Sequence, residues 1–160
     1  MRKLLTVVGV LVLALLTATV AAATWRAAKP IKKVVISTRN VPGLGYVLVN
    51  GQGRTLYMFV PDKEKKVTCV GVCAKVWPPV RLPVGAKAAA AGRVKASLLG
   101  SDPNPAGGRV VTYAKWPLYT YITDRRAGIA TGQALNLNGG LWYVLSPTGK
   151  IIRTKVHTTY

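Results

Sequence analysis

Apolar residues come in short bursts along this chain. Glycine, proline and asparagine separate them, and beyond the first two dozen residues no helical period is sustained. Val34-Val35-Ile36 is β-branched and reads as one short strand, stopped by the turn signal Pro42-Gly43. Tyr46 to Val49 predicts a second strand. The Asn-Gly of "NGQG" (Asn50 to Gly53) predicts a hairpin, with "TLYMF" (Thr55 to Phe59) as the return strand. "VKASLLG" (Val94 to Gly100) fits a short strand or a helical turn, and "SDPNPAGG" is a loop. "RVVTYAKWPLYTYITD" (Arg109 to Asp124) predicts two strands around a turn at Ala114-Lys115. "RRAGIATGQALNLNGG" is a polar, glycine-rich loop, and "LWYVLSPTGKIIRT" is a last hairpin turning at Pro147-Thr148-Gly149. Short strands at close spacing make the fold class all-β.

The pattern repeats. "GRTLYMFVPDKE" and "KWPLYTYITDRR" share Leu-Tyr-x-aromatic-x-x-Asp at a constant offset of 62 residues: Leu56, Tyr57, Phe59 and Asp62 against Leu118, Tyr119, Tyr121 and Asp124. A tryptophan follows in each copy, Trp77 and Trp142. Residues two apart on a strand face the same side, so Tyr57 with Phe59, and Tyr119 with Tyr121, form paired aromatic faces. The expected architecture is two pseudo-symmetric, hairpin-based repeats packed into one small domain. A linker and short strand occupy 24–44, repeat 1 occupies 45–82, a connecting segment 83–107, repeat 2 108–151 and a tail 152–160.

The first residues belong to a different class. Arg2 and Lys3 precede an uncharged apolar run that ends in Ala21-Ala22-Ala23, the anatomy of a secretory signal peptide cut after Ala23. The alternative is an uncleaved anchor, since Leu4 to Ala23 has about the 20-residue length of a membrane span. Export makes pairing the expected state of the only two cysteines, Cys69 and Cys73, and Gly71 between them eases the tight turn a disulfide needs. Two alternatives stay open: free thiols, and a copper or redox site drawing on Cys69, Cys73 and perhaps His157 or Met58. The CxxxC spacing departs from the CxxC of thiolate redox sites, and His157 is the chain's single histidine.

Charge is the second outlier. Lysine and arginine number 23 against 4 aspartate and glutamate, a net +19 that falls to +17 when Arg2 and Lys3 leave with the signal. Such a field attracts anionic polymers or phospholipid headgroups. Adaptation to an acidic exterior would give the same composition. No dense basic arm grips a phosphate backbone, which argues against nucleic acid as partner. Of the four acids, Asp62 and Asp124 occupy equivalent repeat positions. The turn reading, with each carboxylate accepting backbone N–H bonds after its strand, is preferred over a cation or acid–base pair. No catalytic, cofactor or metal set emerges, because His157 lies in the tail and the glycines follow no phosphate-binding spacing. The aromatics are assigned to the core, with stacking on sugars or bases as the alternative.

"GRTLYMFVPD", "CVGVCAKVWPP", "PLYTYITD" and "GGLWYVLSPTGK" together resemble the bacterial secreted repeat of unknown function, a lipoprotein-like family marked by Tyr-x-(Phe/Trp/Tyr)-x-x-Asp. The resemblance implies an exported, envelope-associated protein without an established activity. No lipid-attachment cysteine lies near the expected cut, and "LNLNGG" replaces the cysteine pair in repeat 2. The expected function is therefore a non-enzymatic envelope or wall interaction module drawn to anionic polymers. The copper or redox accessory protein and the exported nucleic-acid binder are the alternatives.

Overall fold

The computed structural model describes residues 31–63 and 66–155. The signal peptide with its Ala23 cut, most of the linker, Glu64 and His157 lie outside the described residues. Three small sheets form the domain. Strands β1 (Lys33–Val41), β2 (Gly45–Asn50) and β5 (Lys87–Ala90) make one, in the order β2-β1-β5, with β5 parallel to β1. Strands β3 (Tyr57–Phe59), β10 (Gly140–Val144) and β9 (Asn136–Leu137) make the second, with β10 central. Strands β4 (Arg81–Leu82), β7 (Arg109–Tyr113), β6 (Leu99–Pro103) and β8 (Trp116–Pro117) make the third, with β7 pairing to all the others. A five-residue helical turn, α1 (Val72–Val76), and a 3-10 turn at Ala96–Leu98 are the helical elements among the described residues. The ambiguous "VKASLLG" thus resolves into a 3-10 turn running into β6.

Two pairing expectations are corrected. The strand at Val34–Ile36 extends over nine residues and forms an antiparallel hairpin with β2 through the Pro42-Gly43 turn. The Asn50 turn does close: its side-chain carbonyl accepts the N–H groups of Gln52 and Arg54, and Val49 bridges Thr55. Beyond Leu56, however, β3 leaves β2 and pairs with β10, Tyr57 opposite Val144 and Phe59 opposite Trp142. The last segment does turn back at Pro147-Thr148-Gly149 as expected: Ser146 N–H donates to Lys150 C=O at 2.8 Å, Ile152 N–H donates to Val144 C=O at 3.0 Å, and Leu145 bridges Ile151. The reason for the change at β3 is burial. All three residues of β3 are buried, Tyr57 and Phe59 in one core cluster and Met58 in the other. A strand covered on both faces must sit between the repeats rather than fold back on its local neighbour.

Two-fold pseudo-symmetry runs through the backbone. Tyr57 and Tyr119 form an antiparallel bridge, each N–H donating to the other's carbonyl at 2.8 and 2.9 Å. Moving outward, Leu56 N–H donates to Leu48 C=O at 2.9 Å, and Leu118 N–H donates to Val111 C=O at 3.0 Å. Val60 N–H reaches Leu141 C=O where Ile122 N–H reaches Val76 C=O. The pseudo-axis therefore passes between the two motif tyrosines.

Candidate functional site

The motif residues converge on that axis. Trp77 and Trp142, both fully buried, stack face to face with centroids 3.9 Å apart and planes 4° from parallel. Phe59 of repeat 1 stacks on Trp142 of repeat 2 at 4.2 Å, and Tyr121 of repeat 2 stacks on Trp77 of repeat 1 at 4.1 Å. The result is one column of four rings: Phe59, Trp142, Trp77, Tyr121. Tyr57 meets Trp77 edge-on at 5.4 Å, and Tyr119 meets Trp142 edge-on at 5.3 Å. Offset-stacked and edge-on rings add about 0.5–1.5 kcal/mol per pair beyond burial. Every stacked pair crosses the repeat boundary.

The same exchange governs the polar groups. Tyr57 Oη donates to Asp124 Oδ2, and Tyr119 Oη donates to Asp62 Oδ2. Each carboxylate's other oxygen is filled from its own repeat. Asp62 Oδ1 accepts the N–H of Thr68 at 2.7 Å and its hydroxyl, and Asp124 Oδ1 accepts the N–H of Thr131 at 3.0 Å and its hydroxyl at 2.6 Å. The loop after each strand is thus closed by backbone and hydroxyl donors, and the opposite repeat supplies the last bond. Gly132 N–H completes the cluster by donating to Tyr57 Oη at 3.2 Å. Cys69 stands at the matching point of repeat 1, directly after Thr68 as Gly132 follows Thr131.

Burial sets the electrostatics. It pushes the carboxyls of Asp62 and Asp124 above the ordinary aspartate range, against the opposing pull of the threonine and tyrosine hydrogen bonds. It also pushes the hydroxyls of Tyr57 and Tyr119 far up, aided by the charge of the facing aspartate, so both remain protonated donors. Asp62 and Asp124 are fully buried, and both oxygens of each carry protein donors. Both carboxylates are therefore turned inward, each tying its own loop to the tyrosine of the other repeat.

Each tryptophan is held differently. In repeat 1, Cys69 and Cys73 are disulfide-bonded with Cα atoms 5.2 Å apart, and Trp77 N–H donates to Cys73 C=O at 2.8 Å across α1. In repeat 2 the β9–β10 hairpin takes over, and Trp142 N–H donates to Leu135 C=O at 3.0 Å. That hairpin lies where the sequence reading places only a loop. Its turn, Asn138-Gly139, has φ 57° and 89°, the Asn-Gly signature that would have located it. The indole of Trp77 reaches across to Asn138 Oδ1 at 3.2 Å. Thr68, Thr131 and Gly132 are the site residues that the sequence reading missed. The threonines follow their aspartates by six and seven residues, a spacing visible in the repeat. Gly132 is required by close approach, because a Cβ there would lie 2.7 Å from the Trp77 ring.

The copper arrangement does not assemble from the described residues. Met58 lies in the core cluster that excludes Cys69, and both sulfurs are consumed in the bond. No group of three or more histidine, cysteine or acidic side chains gathers among the described residues. No helix among them is long and apolar enough to cross a membrane. A family model described as a secreted repeat of unknown function matches residues 40–81 and 103–146, together more than half the chain. No curated protein and no solved structure matches.

Proposed function

The chain belongs to the family of secreted repeats of unknown function, and on that premise we propose that it is a non-enzymatic envelope or wall protein whose surface holds anionic polymers. The mature protein starts at Thr24, after signal cleavage at Ala23. The observation that carries this reading is a separation of charge by depth among the described residues. Every lysine and arginine among the described residues is exposed, whereas Asp62, Asp102 and Asp124 are buried. The described surface therefore carries cations without a competing exposed carboxylate. A field of one sign attracts polyanions over several ångströms and accelerates their encounter. Asp62 and Asp124 are committed to the Tyr–Asp framework, so two of the four acids are withdrawn from the surface by the fold itself.

The test starts from protein recovered from culture medium, with its mass read first to locate the cut. It is then passed over immobilised polygalacturonate and neutral dextran, and mixed with phosphatidylglycerol or phosphatidylcholine vesicles. The expected result is retention by the anionic materials at low salt, with release as ionic strength approaches about 1 M, where the screening length is only about 3 Å. Retention by polygalacturonate without vesicle binding identifies the wall polymer as the source; the converse identifies the lipid surface. Flow-through from both anionic materials at low salt overturns the proposal.

A further inference from the structure

The pseudo-symmetry breaks at the two ends of the ring column, and the break leaves a site. At the repeat 1 end, Phe59 is buried under Pro61 and Gly140; a Cβ on Gly140 would come 2.5 Å from Pro61 Cγ and 3.0 Å from Phe59 Cε2. That end is closed. At the repeat 2 end, Tyr121 takes the place of Phe59 and is only half-buried, and Thr123 replaces Pro61. Tyr121 lines a cleft of about 700 Å³ together with Thr123, Arg125, Arg126, Ile129 and Thr131. In sequence, Arg125-Arg126 replaces the mixed pair Lys63-Glu64 of repeat 1, so the open end carries two cations.

We propose that this cleft binds one anionic sugar unit of an envelope polymer, an assignment that rests on the polyanion reading above and gives it an address. Three features select the ligand. The negative face of an aromatic ring receives the C–H face of a pyranose. Two exposed guanidinium groups offer planar forks to a carboxylate or phosphate. The Thr123 hydroxyl, 3.0 Å from that of Thr131, offers a hydrogen-bonding partner to sugar hydroxyls. The volume falls in the range of small-molecule clefts. A nucleic-acid track would present successive aromatic platforms, and Tyr121 is the single ring lining this cleft. The arginine loop is also anchored to repeat 1. Thr55 Oγ1 donates to Ile129 C=O at 2.5 Å, and a Cβ on Gly53 would lie only 3.0 Å from Ala127 Cβ.

The experiment titrates the exported protein with a galacturonic acid trisaccharide, with its neutral galactose counterpart and with a short oligothymidylate, following chemical shifts and affinity. Shifts from the acidic trisaccharide should centre on Tyr121, Thr123 and the Arg125–Ile129 loop, with the neutral sugar weaker. The variant R125Q/R126Q should lose affinity about tenfold or more, as expected for charge-assisted hydrogen bonds. The variant K33Q/K87Q removes the same charge from neighbouring positions on β1 and β5 and should change affinity by less than about twofold, as a screened surface charge does. Equal losses in the two variants, or shifts spread over the whole surface, overturn the cleft while polygalacturonate retention still supports the diffuse attraction. Tighter binding of oligothymidylate with the same shifts overturns the saccharide assignment. Loss of polygalacturonate retention by the unaltered protein brings down the underlying reading and the cleft with it.

Discussion

Asp62 and Asp124 invert the usual behaviour of a protein under acid. Their folded-state values are raised by burial above 3.8, so between the unfolded and folded values the native state binds more protons than the unfolded chain. Their contribution to stability is complete below about 3.8 and is lost as pH rises through the raised values. Acidification also adds little self-repulsion, because only 4 acidic side chains exist to be neutralised. The melting temperature is therefore expected to be at least as high near pH 4 as near pH 7. The D62N/D124N double variant removes both titrations but sets an amide NH2 where one of the two accepting oxygens stood, so it should melt lower and with a flattened dependence on pH. Thermal melts from pH 3 to 8 check it; a wild-type protein that loses stability on acidification, with the double variant following the same curve, refutes the account.

At the scale of elements, one task is done by two devices. The first tryptophan is presented by α1 and the Cys69–Cys73 bond, the second by a β-hairpin with an Asn-Gly turn. A loop this short gains little chain entropy from cross-linking, about 2 kcal/mol at most. The ring column, the Tyr57–Tyr119 bridge and the aspartate clusters are built from other side chains and backbone groups. The C69S/C73S variant is expected to fold, with a lowered melting temperature and unchanged near-ultraviolet circular dichroism from the stacked indoles. Loss of the indole signal at room temperature would show that the hairpin side cannot hold the column alone. The β7–β8 connection gives a contrasting case. Ala114 and Lys115 both adopt positive φ, 48° and 70°, where glycine or asparagine is the easier choice. The turn is nonetheless retained, because Tyr113 and Trp116 pair across it and Tyr113 is fully buried.

For the whole molecule, each repeat is incomplete by construction. Repeat 1 lacks the tyrosine that satisfies Asp62 and the indole that covers Phe59; repeat 2 lacks the tyrosine for Asp124 and the indole for Tyr121. A half-molecule would leave a buried acceptor unfilled, at about 1–3 kcal/mol, in addition to losing the shared ring column. Fragments 31–92 and 93–155, produced separately, are expected to be unfolded by circular dichroism. When mixed they should form a one-to-one complex with the indole signal of the intact chain. A fragment that folds alone as a monomer contradicts this reciprocity. The parallel pairing of β5 with β1 stays within the first fragment, whereas the β3–β10 and β4–β7 pairings cross the cut and must re-form in the complex.

The sequence by itself determined what depends on local pattern. β-Branched bursts and turn residues specified an all-β chain, and the 62-residue offset specified a doubled unit whose second copy puts Tyr119, Tyr121 and Asp124 where the first has Tyr57, Phe59 and Asp62. The same offset, with the matching residues 40–81 and 103–146, places the chain among secreted repeats. Turn chemistry at Pro42-Gly43 and Asn50-Gly51 was legible because those residues act within their own few neighbours. Tertiary structure alone decided the partners. A motif gives the spacing of Tyr57 and Asp62 along one strand and turn, but not that the tyrosine's hydroxyl goes to the other copy's aspartate. That choice is made by burial around a shared axis, where exchanging donors satisfies both carboxylates at once. For the same reason β3 left its hairpin for β10. Tyr57 and Phe59 reach the tryptophan column only from a strand that sits between the repeats, and the burial of five aromatic rings outweighs a few local backbone bonds.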